Sequence, residues 1–84
     1  MVIDQSEVQA RALGVFQSVF EDPDFEPTPT LKMGDIEAWD SFNQVNLMLG
    51  IETEFGIEFD EQEMAELLSV ETILGAVERR LGAE

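Results

Sequence analysis

The chain has 84 residues, 44% of them hydrophobic, with nineteen Asp and Glu against four Lys and Arg and a net charge of −15. That length predicts a single domain over residues 1–84 with a modest core, because a chain of this size buries only about 60% of its unfolded surface, and the hydrophobic content argues against disorder. The charge argues against nucleic acid and anionic membrane as partners, since crowded carboxylates repel phosphate, while the same field favours encounter with basic proteins.

Cysteine and histidine are both absent. Disulfides, thiolate metal sites and cysteine nucleophiles are therefore excluded, and neither a Ser-His-Asp nor a Cys-His apparatus can be assembled. The chain is expected to be no enzyme in its own right. Its first residues lack the basic region and apolar run of a signal peptide, and no apolar stretch approaches the ~20 residues of a membrane span. These features predict a soluble, cytoplasmic monomer with no membrane insertion.

In chain order, Asp4 and Glu7 form a variant of the capping box and open a first helix. Val8, Ala12, Leu13, Val15, Phe16, Val19 and Phe20 recur at helical spacing on one broad face, opposite Ala10, Gly14 and Ser18. The helix should stop near Glu21-Asp22-Pro23, because proline disfavours helix at the residue before it. From Pro23 to Asp40 the chain holds all three prolines and no sustained period, which predicts a long loop. Loops of this length in small domains are more often functional than decorative. Leu31, Met33, Ile36 and Trp39 are assigned to pinning it over the helices, as lids on the core rather than ligand contacts. Asp22-Pro23-Asp24-Phe25-Glu26 resembles the start of a calcium loop, but Pro27 stands where glycine is needed and Met33 where the last glutamate belongs.

Asp40 can cap a second helix that runs through Phe55 and ends at Gly56, a residue suited to a left-handed C-terminal position. On this helix Phe42, Val45 and Leu49 lie within about 60° of one another, and Leu47, Ile51 and Phe55 cluster on nearly the opposite side, with Met48 between them. Asn43, Asn46, Thr53 and Glu54 leave polar ground between the two stripes. One stripe suffices for a core, so the other predicts a docking face, and Phe42, Val45 and Leu49 are assigned to it because they begin beside Ser41. Asp60 and Glu63 frame a further cap, followed by a short helical piece over Met64-Ala65-Glu66-Leu67-Leu68. Ser69 begins a fourth helix carrying Val70, Ile73, Leu74, Val77 and Leu81, with Arg79 and Arg80 in its last turn and Gly82 ending it.

The Asp40-Ser41 pair at a helix start would mean little alone, since such residues usually only cap. Its setting is Trp39-Asp40-Ser41-Phe42, then Val45, Leu47, Glu52, Phe55-Gly56-Ile57 and Ser69-Val70. With the size, the acidity and the order of elements, this setting resembles the acyl carrier protein family over nearly the whole chain. The resemblance implies an all-α, four-helix bundle of three longer helices and one short one, with a long loop between the first two. It also implies 4′-phosphopantetheine, derived from coenzyme A, carried on Ser41 with Asp40 beside it. The implied partners are a phosphopantetheinyl transferase and acyl-loading and acyl-transferring enzymes with basic docking patches. A thioester shuttle needs a thiol, which this chain lacks, and a serine with no histidine to activate it must be modified by another enzyme. Ser41 is then a substrate, not a catalyst.

Several residues depart from the family's pattern. Phe42 stands in place of the usual leucine, and Asn43, Asn46 and Thr53 occupy positions often acidic in fatty-acid carriers. Charge for recognition is therefore sought in Asp35, Glu37, Asp40, Glu52 and Glu54. Glu37-Ala38-Trp39 replaces the Gly-Gly pair usual in peptidyl carriers. Fatty acid, polyketide and aminoacyl cargo, the last including a D-alanyl type, all stay open. So does an unmodified acidic helical adaptor, in which Phe42, Val45 and Leu49 bind a partner and Ser41 merely caps the helix.

Overall fold

The computed structural model describes residues 5–81, and its helices are α1 (Gln5–Phe20), α2 (Ser41–Phe55), α3 (Glu61–Met64) and α4 (Val70–Arg80). The described residues contain no strand, only an isolated bridge between Lys32 and Ser69. No helix among them is long and apolar enough to cross a membrane. Asp4 and Gly82, expected to start the first helix and end the last, lie outside the described residues.

α1 buries Val8, Ala12, Phe16 and Phe20, a pure i, i+4 row, and half-buries Leu13, Val15 and Val19 on either side of it. It ends through a left-handed residue, Glu21 at φ 55°, with the Asp22 N–H donating to Gln17 O and the Glu21 N–H to Ser18 O. These two bonds satisfy the Gln17 and Ser18 carbonyls in the last turn of α1, and the chain is already out of the helix before Pro23. α2 packs along α1, and its Leu47, Met48, Ile51 and Phe55 meet α4's Val70, Ile73, Ala76 and Val77 in one core. The radius of gyration is 11.9 Å, close to the roughly 12 Å expected for a folded chain of this length.

The loop between α1 and α2 is held down by aromatic rings. Phe25 sits with its centroid 5.1 Å from Phe20, and Trp39, fully buried, is 5.8 Å from Phe16. Leu31, Met33 and Ile36 are half-buried against the same core. The loop is also stitched to the start of α4, because the Val70 N–H donates to Leu31 O at 2.9 Å and the Met33 N–H to Leu68 O at 2.8 Å. Near the bridge, the backbone N–H of Lys32 and then its ammonium hold the Asp35 carboxyl below its ordinary pKa. What this pair adds is therefore present above the unfolded pKa and lost as pH falls through the folded one.

The third helix departs from expectation. It covers Glu61–Met64, ahead of the segment Met64 to Leu68 that the apolar residues suggested. The cap decides the start: the Asp60 carboxylate accepts from the Glu63 N–H at 2.7 Å, which makes Glu61 the first helical residue. The helical bonding does not run on: the Glu66 and Leu67 N–H groups donate three residues back, to Glu63 O and Met64 O, and the carbonyls of Leu67 and Leu68 that follow accept from Gln44 and Met33.

Three of the four cations are absorbed internally. Arg11 pairs with Glu54 at 2.8 Å and lies over the Phe55 ring, Lys32 pairs with Asp35, and Arg80 joins Glu63 and the Glu58 carbonyl. Arg79 is exposed. Among the described carboxylates only Glu7, Asp35, Glu54 and Glu63 pair with a cation, and the repulsion of the excess negative charge weakens the compact state. Added NaCl or MgCl2 is expected to raise the melting temperature, since at physiological ionic strength screening already shortens the Debye length to about 8 Å. A melting temperature flat across a salt titration would mean that the carboxylates are dispersed well enough not to interact.

Candidate functional site

The α2 N-terminus is built by Asp40. Its extended backbone and its carboxylate, accepting from the Asn43 N–H at 2.8 Å, make it the N-cap. Ser41 is therefore the first residue of the helix and not its cap, which removes the plain structural role considered for it above. Asn43 braces the turn from the other side, donating through Nδ2 to Ala38 O at 2.8 Å. Ser41 is exposed, and its hydroxyl makes no hydrogen bond to a described residue.

The N-termini of α2 and α4 differ in what is left open. At α4 the Val70 and Glu71 N–H groups donate to Leu31 O and Pro29 O, and the Thr72 N–H donates to Ser69 Oγ within a full capping box. At α2 the Asn43 and Gln44 N–H groups donate to the carboxylate and carbonyl of Asp40, and those of Ser41 and Phe42 find no acceptor among the described residues. Two free donors at the positive end of a fifteen-residue helix can receive an anion's oxygens. Ser69, the serine that caps α4, has its hydroxyl engaged with Thr72.

Ser41 also stands at the edge of an apolar groove of about 310 Å³. One wall is Val45, Met48 and Leu49 of α2, the other is Met64, Ala65 and Leu68, and Met33 closes one side. Met33, expected to be a core lid, is thus also part of the surface beside the serine. A larger hollow of about 470 Å³ lies between α1, α4, Pro27 and Pro29. Among the described residues no hydroxyl, amine or guanidinium lines it, and Ser41 lies outside it.

The residues assigned to docking are where the helical period puts them. Phe42, Val45 and Leu49 are 74%, 59% and 54% exposed, while Leu47 and Ile51 are fully buried and Phe55 nearly so. Met48, intermediate by angle, falls to the core side at 3% exposure. Glu54, assigned to polar ground, is committed to Arg11.

Gln44, which the helical pattern gave no reason to single out, is the one buried polar side chain among the described residues. Its Oε1 accepts from Trp39 Nε1 at 2.7 Å and its Nε2 donates to Leu67 O at 2.8 Å, joining loop, α2 and the strap after α3. Gln44→Ala leaves a buried indole N–H and a carbonyl without partners. The expected loss is about 2–4 kcal/mol in urea unfolding, from two stranded groups at roughly 1–3 kcal/mol each with partial relaxation. A loss below about 0.5 kcal/mol would show that water replaces the amide at both ends.

No protein-family model matches the chain, and no curated protein matches it in sequence. The functional reading rests on the site and on the residues that carry the resemblance.

Proposed function

We propose that the chain is an acyl carrier protein, a cytoplasmic, monomeric and non-catalytic partner of biosynthetic enzymes. It bears acyl intermediates as thioesters on 4′-phosphopantetheine attached to Ser41, in fatty acid, polyketide or related synthesis. The observation behind this reading is the Ser41 hydroxyl, exposed at the first position of α2 and bonded to no described residue, beside two N–H groups with no acceptor among the described residues. The prosthetic group supplies the thiol that the chain lacks. Ser41 Oγ attacks the pantetheine-side phosphorus of the coenzyme A diphosphate, so that a Ser41 O–P bond forms as the diphosphate P–O bond breaks and adenosine 3′,5′-bisphosphate leaves, and the hydroxyl proton passes to the transferase, because no histidine exists here to receive it. The Ser41 and Phe42 N–H groups are the donors available to the phosphate, and Asp40 positions the serine by capping the helix.

Coexpression with a broad-specificity phosphopantetheinyl transferase tests this by intact mass. One added phosphopantetheinyl group per chain is the expected result. An unchanged mass leaves the unmodified helical adaptor as the better reading. The mass of the thioester isolated from the native host then decides between acyl and aminoacyl cargo.

A further inference from the structure

Glycine inside a helix is destabilising relative to alanine, so an interior glycine asks for a local cause. At Gly50 of α2 the cause is internal: a Cβ there would stand 2.8 Å from Val15 Cγ1, so the residue lets α1 and α2 approach. Gly14 is exposed on α1, whereas Gly75 is half-buried in the middle of α4 and has no neighbour that needs it small. Outside the backbone of its own helix, the one described atom within 4 Å of its would-be Cβ is the flexible Arg79 Nη1, at 3.6 Å. Gly75 lines the hollow of about 470 Å³ between α1, α4 and the two loop prolines, where buried Phe16 and Val70 and half-buried Leu13 and Leu74 contribute apolar surface. Glu71 and Glu78 line it from the same side of α4, and Gln5 and Gln9 from α1. The side chains of these four polar residues bond to no described residue.

We propose that this hollow is a separate docking site, taking a basic amphipathic helix of a partner protein while Ser41 stays free. The inference goes beyond the carrier reading, because the hollow and the groove beside Ser41 share no lining residue. Charge chooses the occupant. Glu71 and Glu78 are two turns apart, about 10.5 Å along α4, and Arg79, though it approaches Gly75, pairs with neither. A helix laid along α4 with Arg or Lys at i and i+7 meets both acids. Leucines at its i+3 and i+4 positions then stand over Gly75, whose missing side chain leaves them room. The apolar contact holds the complex, and the two acids set its orientation and speed its formation. A second copy of this chain does not fit, because it brings a charge of −15 against another and only Arg79 of its four cations lies outside an ion pair. An anionic lipid surface is repelled in the same way.

The probe is a synthetic peptide of about twenty residues, long enough to be helical in water, with Arg at i and i+7, Leu at i+3 and i+4 and neutral polar residues elsewhere. It carries a fluorophore and is titrated with the full chain by anisotropy. Gly75→Leu fills the hollow without changing the charge. It should weaken binding by roughly tenfold or more and keep or raise the melting temperature, since leucine favours helix and only the end of an arginine must move. Glu71→Gln with Glu78→Gln should weaken binding by about threefold to tenfold. Glu37→Gln with Glu58→Gln, the same loss of charge at exposed acids outside the hollow, should change it by less than about twofold. Saturating peptide should leave phosphopantetheinylation of Ser41 at its full rate. The proposal is overturned if the peptide does not bind the unaltered chain, if Gly75→Leu binds it as tightly, or if the two glutamine pairs weaken it equally, since the peptide then follows overall charge. Peptide that blocks modification sits on the Ser41 face and overturns it too. So does sedimentation of the unaltered chain as a dimer that Gly75→Leu disperses, because the hollow then belongs to a second copy. A chain that binds the peptide but is never modified loses the carrier reading and keeps this site.

Discussion

Ser41→Ala is expected to abolish phosphopantetheinylation entirely while leaving the fold almost untouched. The hydroxyl bonds to no described residue, and the cap that starts α2 belongs to Asp40, so its removal strands no partner. Alanine is also the better helix former, and the change in stability should stay within about 0.5 kcal/mol. Ser69→Ala is the opposite case. It dismantles the capping box with Thr72 and should cost about 1 kcal/mol, yet leave modification at its full extent. Peptide mapping after exposure to the transferase separates the two serines. A phosphopantetheinyl group found on Ser69, or on any residue of Ser41→Ala, would show that the attachment site is misassigned.

What could be read from the residues was local. α2 begins and ends where Asp40 and Gly56 place it, because a carboxylate cap and a residue at φ 67° are decisions of one turn of chain. The two faces of α2 separate because burial follows a fixed angle per residue. What escaped depends on contacts between distant segments. Gln44 reads as a solvent residue until Trp39 and the Leu67 carbonyl stand on either side of it. The groove wall from Met64 to Leu68 drew an expectation of helix from its apolar residues, yet its Glu66 and Leu67 N–H groups bond three residues back and its Leu67 and Leu68 carbonyls go to Gln44 and the long loop. Phe25, set aside with a calcium pattern, is core because a loop of such length brings it back onto Phe16 and Phe20. The carboxylates sought for recognition proved mostly occupied, which no count of acids along the chain reveals.

Ile51→Ala and Val45→Ala should separate stability from function on a single helix. Ile51 is fully buried in the core, and removing most of its side chain leaves a cavity in a core with few large members. The expected cost is about 2–5 kcal/mol, a large share of the 5–15 kcal/mol typical of a whole domain. Val45 is 59% exposed, so its truncation removes little buried surface, and alanine's higher helix propensity offsets part of that loss. Its thermal and urea midpoints should stay near those of the unaltered chain. Modification should behave the other way. Molecules of Ile51→Ala that remain folded keep the Ser41 hydroxyl, the open N–H groups and the apolar face, and should be modified at close to the normal rate. Val45→Ala loses part of the contact that the transferase or an acyl-loading enzyme grips, and should be modified more slowly at every temperature where it is folded. The reverse pattern, with Val45→Ala unfolding as readily as Ile51→Ala and its folded molecules modified at the full rate, would make the second stripe part of the core. It would leave Ser41 as an attachment point without an apolar docking face.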